Sequence, residues 1–306
     1  KTVAIPAVKI ADGVISTSEL INNTLNNANT ALGEDAFQRI IKDAHQANIM
    51  FLIQQANLRA SELKSAGMKD FHNQVAEVNA AENKKISNIE ISAYASPDGA
   101  TDLNTGLAEK REANTNKYLS KELKKAKVDA VVDAKYTAED WEGFQELVSK
   151  SNIQDKELIL RVLSMYQDPE QREREIKNIS SVYKNLADDI LPQLRRSRLT
   201  LNYEIIGKSD EEIAKLADAD ASKLSLEEIL YAATLTNDNA KKAAIYTKAT
   251  QQFPNDYRAY NNLGALAFQA GDVTKAESFL SKAASLKAAP EVSMNQGLLA
   301  LAKGDK

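Results

Sequence analysis

The 306-residue chain is predicted to be α+β: a mixed sheet with helices and a helical insert, followed by an all-α helical repeat domain. Three observations predict it. Ile89–Ala93 and Leu199–Ile205 alternate apolar and polar residues, the period of a half-buried strand. Segments between them carry apolar residues three and four apart, the spacing of one helix face. Near the C-terminus, Asn262-Leu263-Gly264 with Gly271-Asp272 recurs as Asn295-Gln296-Gly297 with Gly304-Asp305. That offset of 33 marks stacked helical units.

Composition narrows the function. A hydrophobic content of 43% supports real cores over two domains. A net charge of −4 argues against a nucleic-acid partner. The absence of cysteine removes thiol catalysis, zinc–thiolate sites and disulfides. No stretch is apolar over the length of a membrane-spanning helix. The chain opens at Lys1 rather than Met, as a processed or trimmed chain would.

Residues 1–34 read as a lead-in. Val8–Ala11 and Val14–Thr17 flank Asp12-Gly13, the signature of a two-residue hairpin. A short helix is expected from Ser18, with Leu20, Ile21 and Leu25 inward. This piece is too small for its own core and is expected to pack on a neighbour.

Residues 35–207 form the expected sheet domain. Phe37, Ile40 and Ile41 suggest a turn or two of helix. Asn48–Gln54 is an apolar run for a first strand. A helix over Ala60–Ala81 has Leu63, Met68, Phe71, Val75 and Val78 as its stripe. Then come the Ile89 strand, a helix with Leu103, Leu107, Tyr118 and Leu119 at helical spacing, a third strand over Val128–Ala134 and a fourth over Leu199–Ile205.

The insert at about residues 136–194 is too long for a bare loop and should be helical. Trp141, Phe144, Leu147 and Val148 mark one helix, and Leu158, Ile159 and Val162 a second. Asp168-Pro169 is a helix start, with Asp at the cap and Pro at the first position. The charge run Glu170–Lys177 reads as a solvated face, and Tyr183, Leu186 and Ile190 as the return to the core.

Residues 208–306 form the expected repeat domain. Ser209 with Glu212 and Ser225 with Glu228 fit capping boxes. Antiparallel helix pairs are expected, with a concave partner surface. The Asn-x-Gly recurrence, Ala276, Ala283 and Pro254 resemble the tetratricopeptide repeat.

The organising stretch is Ile89–Leu119. A strand ends in the turn Ser96-Pro97-Asp98-Gly99, and a helix follows with Asp102 near its start. Asn104 and Arg111 are seven apart, hence on one face. Arg over a helix N-terminus makes a corner for a carboxylate. Gly99, Asn104, Leu107, Arg111, Tyr118 and Leu119 resemble the motif of the OmpA C-terminal-like family, the peptidoglycan-binding domain of Gram-negative envelopes. Ser96 stands where the family carries its ligand-binding Asp, Ala108 where it carries Ser, and Glu112 where it carries Ala. The resemblance implies a sheet with helices on one face and binding of the diaminopimelate stem peptide. It implies Arg111 on the ligand carboxylate, with Asp98 or Asp102 offering charge in place of the missing Asp. Arg195, Arg196 and Arg198 resemble the family's Arg-rich entry to the last strand and are expected to be structural or to line the rim.

No catalytic, metal or cofactor site is expected. His45, in a polar connection, and His72, beside core Phe71, read as structural. Glu139 and Asp140 are explained by capping, and Trp141 by insert core. The expected function is that of a non-enzymatic periplasmic protein associated with the outer membrane. It binds peptidoglycan through Arg111, Asn104, Ser96, Asp98 and Asp102, and an unidentified envelope protein through its repeats. The alternative is a degenerate domain without wall binding that serves as a protein–protein scaffold.

Overall fold

The structure is a computed structural model, and it describes residues 29–153, 155–179 and 184–304. The hairpin and short helix expected before residue 29 lie outside the described residues, as does Tyr183. The chain divides into two compact units. One is Ile40–Gly207; the other joins Lys208–Lys306 to the segment ending at Arg39.

The first unit is α+β. Its strands are β1 (Ile40–Met50), β2 (Lys84–Tyr94), β3 (Val132–Thr137) and β4 (Arg196–Ile206), in the order β1-β4-β2-β3. β4 is antiparallel to both neighbours, with Ala47 opposite Leu199 and Ile91 opposite Leu199. β3 is parallel to β2, with Ile89 beside Val132. That parallel pair requires a crossover, which is helix α3 (Thr101–Ala126). Helices α1 (Ala60–Leu63) and α2 (Ala66–Ala80) join β1 to β2. The expected single helix is broken there because Ser65 caps α2 by accepting from the Met68 amide at 3.3 Å.

Strand periodicity decides the core. Ile89, Ile91, Leu199, Leu201, Ala47 and Ile49 point to one face and pack on Met68, Phe71, Val75 and Val78 of α2 and Leu119 and Leu123 of α3. The other face is polar, with Asn202 Nδ2 donating to Asn88 Oδ1 at 2.8 Å and Glu90 Oε1 at 3.1 Å.

Several expectations need correction. Ile40 and Ile41 begin a strand rather than a helix, and both are exposed. Their pairing with Ile206 and Ile205 overrides local preference. His45 lies within β1, not in a connection, beside Asp70 at 3.0 Å. Leu103 is exposed, whereas the buried face of α3 is Asn104, Ala108, Arg111, Thr115, Leu119 and Leu123. That face is largely polar at its N-terminal end, so apolar spacing alone could not find it.

The insert is helical: α4 (Trp141–Lys150), α5 (Lys156–Met165), α6 (Pro169–Asn178), a π turn at Leu186–Ile190 and α7 (Leu191–Leu194). Asp168 caps α6 by accepting from the Gln171 amide at 2.8 Å. Phe144, Val148, Ile159, Val162, Leu163, Ile176 and Leu186 form a core of its own, while Leu158 faces outward.

The second unit holds α8 (Asp210–Ala219), α9 (Leu226–Ala232), α10 (Asn239–Gln252), α11 (Tyr257–Gln269), α12 (Val273–Leu286) and α13 (Pro290–Lys303). No strand occurs among its described residues. Ser225 and Glu228 complete a capping box; Ser209 caps α8 through the Glu212 amide. Gly271 and Gly304, at equivalent repeat positions, both take positive φ, +76° and +79°. Only glycine does so without strain, which is why Gly-Asp recurs at these helix ends.

Candidate functional site

The corner at the end of β2 is built by a turn and the first residues of α3. Ala95 and Ser96 are buried as β2 ends, and Gly99 takes φ +117° to redirect the chain. Ser96 Oγ donates to Asp98 Oδ1. Arg195 Nε donates to Ser96 Oγ at 3.1 Å, and Arg195 Nη2 to Asp98 Oδ2 at 3.1 Å. Ser96, Asp98 and Arg195 therefore form one closed network, with Arg195 and Ser96 both buried. Arg195 precedes β4 by one residue, so the sheet register sets its position.

Arg111 does not face open solvent above the helix start. It is 1% exposed. Its Nε donates to Gln55 O at 2.9 Å, Nη1 to Tyr94 O at 2.8 Å and Nη2 to Leu52 O at 3.4 Å. Its guanidinium also lies 5.0 Å from the centre of the Phe51 ring. Burial, with Arg195 nearby, pushes its pKa down to about 10, against the pull of Asp98. It thus remains charged at neutral pH. This guanidinium is a buried group of the sheet unit rather than an open contact over the helix start. Carbonyls at the end of β2 and after β1 converge here, and a cation with several N–H groups serves them together.

Asn104 is buried beside the turn, with Nδ2 3.4 Å from Gly99 O and 3.5 Å from Glu139 Oε1. Asp102 lies exposed on the first turn of α3 and does not join this network. The structure thus brings Ser96, Asp98, Asn104 and Arg111 to one corner and leaves Asp102 outside.

Two residues expected elsewhere, Glu139 at a helix cap and Glu173 on a solvated face, occupy the donors of this corner. Glu173 Oε1, on α6 of the insert, accepts from the Gly99 amide at 2.6 Å. Glu139 Oε1 accepts from Thr101 Oγ1 at 3.0 Å, and its Oε2 accepts from Trp141 Nε1 at 3.0 Å. Both carboxylates sit where the positive helix end favours an anion. Pro97, Asp98, Trp141, Phe144, Glu173, Ile176, Leu186 and Leu191 enclose a cavity of only about 10 Å³ there, space for one water at most. Beside it Arg196 Nη2 pairs with Asp140 Oδ2 at 2.8 Å, both side chains below a tenth exposed. The Arg196 guanidinium also stacks 4.7 Å from the centre of the Tyr94 ring.

The two histidines are engaged elsewhere: His72 Nε2 is 2.9 Å from Tyr118 Oη, and burial pushes its pKa down. Among the described residues, no group of three or more His, Asp or Glu side chains converges as a metal site. No described helix is long and apolar enough to cross a membrane.

The fold and this corner define a class: an α+β unit with a four-stranded mixed sheet whose turn after β2 is lined by its own carboxylates, joined to a unit that is helical among its described residues. No protein-family model matches the chain, and no curated protein is significantly similar to it.

Proposed function

We propose that the chain is a non-enzymatic scaffold of the Gram-negative envelope, acting in the periplasm as part of an outer-membrane assembly. Its sheet unit keeps the frame of an OmpA-like domain without taking peptidoglycan. Its helical unit, tetratricopeptide-like in its recurrence, recruits a protein partner. The observation that carries this reading is the use of the corner's donors within the chain. Arg111 is committed to three backbone carbonyls, and Glu173 and Glu139 occupy the turn. A stem-peptide carboxylate would have to displace a carboxylate that is already tethered, hence at high effective concentration.

Cosedimentation with insoluble peptidoglycan tests the reading. The protein is expected to stay in the supernatant. Sedimentation that a diaminopimelate-containing peptide competes away would overturn it.

Wall binding, the second reading, has one observation in its favour. Asp98 and Arg195 present the two charges that the amine and carboxylate of diaminopimelate require. In that reading Arg195 takes the part the resemblance implies for Arg111, and the Asp98–Arg195 pair opens to admit the ligand.

A further inference from the structure

The segment before β1 lies in the helical unit as a bound peptide would. Its described residues, 29–39, form no helix or strand. Three buried asparagines read its backbone. Asn295 Oδ1 accepts from the Ala31 amide at 2.8 Å, and Asn295 Nδ2 donates to Ala31 O at 2.6 Å. Asn262 Oδ1 accepts from the Gly33 amide at 2.7 Å, and Asn262 Nδ2 donates to Gly33 O at 3.0 Å. Asn261 Nδ2 adds a bond to Ala31 O at 2.9 Å. Pairing at every second residue is what an extended strand offers one side of a groove. The three amides also bond to one another, so each is fixed in orientation.

The side chains set a pattern on top of this backbone reading. A Cβ added at Gly33 would lie 2.8 Å from Arg258 Cγ and 2.9 Å from its Cβ, so only glycine fits. Arg258 is held there by a two-pronged bond to Glu227, 2.7 and 2.9 Å, and Glu227 also accepts from the Ala36 amide. The Phe37 ring stacks on Tyr231 at 4.5 Å, and Arg39 pairs with Asp210. Asn262 and Asn295 are the two asparagines of the 33-residue recurrence. The recurrence therefore repeats a backbone-reading side chain.

We propose that the helical unit carries a peptide site for an extended segment of the pattern Gly-x-x-x-Phe-x-Arg, and that residues 30–39 are its resident ligand in cis, a displaceable strap. The proposal rests on the partner-recruiting half of the reading above and names the chemistry of that partner: an extended strand with glycine at the tight point and an aromatic residue four positions on. Recruitment then requires the incoming strand to replace the strap. The partner surface expected on the helices is filled until that exchange occurs.

The test uses the full chain and a fluorescent peptide of residues 29–39. In the unaltered protein, amide exchange is expected to be slowed at Ala31 and Gly33 by about a hundredfold or more relative to the free peptide. The labelled peptide should bind weakly, because the tethered strap competes. Gly33→Val should release the strap, abolish that protection and raise affinity for the labelled peptide by about tenfold or more. Adding Asn262→Ala to Gly33→Val should remove the gain while leaving helical content unchanged. A labelled peptide carrying valine at the glycine position should not bind. Unprotected Ala31 and Gly33 amides in the unaltered protein would overturn the proposal without any variant. So would a folded Gly33→Val chain that binds the peptide no better than the parent. These readouts use purified components, so they stand or fall independently of the peptidoglycan assay.

Discussion

The Gly99 amide donates to the Glu173 carboxylate at 2.6 Å, across 74 positions of sequence. This bond, with those of Glu139, ties the insert to the corner at the end of β2. Glu173 also pairs with Lys177 one helical turn on, at 2.6 Å, so the carboxylate is held before it meets the turn. Replacing Glu173 with alanine should free the Gly99 amide and cost about 1–2 kcal/mol, read as a fall in the denaturation midpoint. Under the scaffold reading, Glu173→Ala still fails to sediment with peptidoglycan. A variant that gains sedimentation would move the sheet unit to the wall-binding reading.

Arg111→Ala should destabilise the sheet unit by about 3–5 kcal/mol. The loss takes this donor from the carbonyls of Gln55 and Tyr94, leaves Leu52 O to the Gln55 amide alone, and opens space against Phe51. Arg111→Lys should recover only part of this, because one ammonium cannot reach three carbonyls in a fork. Chemical denaturation of the two variants, followed at the sheet, checks the order. Equal stability of Arg111→Ala and the parent would show that the guanidinium is not structural.

The strap should loosen in acid. The hydrogen bonds from Arg258 hold the Glu227 carboxyl below its ordinary value of 4.5, with the Ala36 amide adding to them and burial opposing. Arg258 is itself shared with Asp256, at 3.0 Å. A carboxyl whose folded value is depressed contributes stability that is present above its unfolded value and lost as pH falls through the folded one. Exchange protection at Ala36 is therefore expected to hold above the ordinary value of 4.5 and to be lost as pH falls below it, through the depressed value of Glu227. Glu227→Gln should remove this pH dependence. A profile that is flat from pH 6 to pH 3 would separate the strap from Glu227.

β2, β4 and the helix caps were legible because they obey local periodicity and local hydrogen bonding. By contrast, the run expected as a strand at Asn48–Gln54 meets β1 only over Asn48–Met50, and the one at Val128–Ala134 meets β3 only over Val132–Ala134. Ile89, Ile91, Leu199 and Leu201 alternate and are buried in register, and Asp168, Ser209 and Ser225 cap where their spacing predicts. The N-terminal half of β1 was not legible. Ile40 and Ile41 are exposed, so no alternation marks a strand, and only β4 determines it. The corner was half legible. Its turn and the Asn104–Arg111 spacing follow from sequence, but the closure by Arg195, Glu139 and Glu173 joins residues 35 to 99 positions apart. The role of Asn262 and Asn295 was visible as a recurrence and invisible as a contact, since its partner Ala31-Leu32-Gly33 lies over 200 residues away in sequence.

Two of the recurring glycines of the helical unit, Gly264 and Gly297, should respond oppositely to alanine. Gly264 and Gly297 occupy the same place in the 33-residue repeat, two residues after Asn262 and Asn295. At Gly264 a Cβ would meet Leu280 Cγ at 2.7 Å and Cδ2 at 2.8 Å. Leu280 is fully buried on α12, with Ala276 and Leu299 in the same cluster, so it has little room to yield. Gly264→Ala should therefore cost about 1–3 kcal/mol through overpacking between α11 and α12. At Gly297 a Cβ would meet nothing within 4 Å. There alanine removes backbone entropy from the unfolded chain and favours the helix, so Gly297→Ala should stabilise by about 0.5–1 kcal/mol. Thermal unfolding of the two variants checks the contrast: the midpoint should fall for the first and rise for the second. Equal shifts would mean that the recurring glycine serves the same purpose in α11 and α13, against the close approach seen only at Gly264.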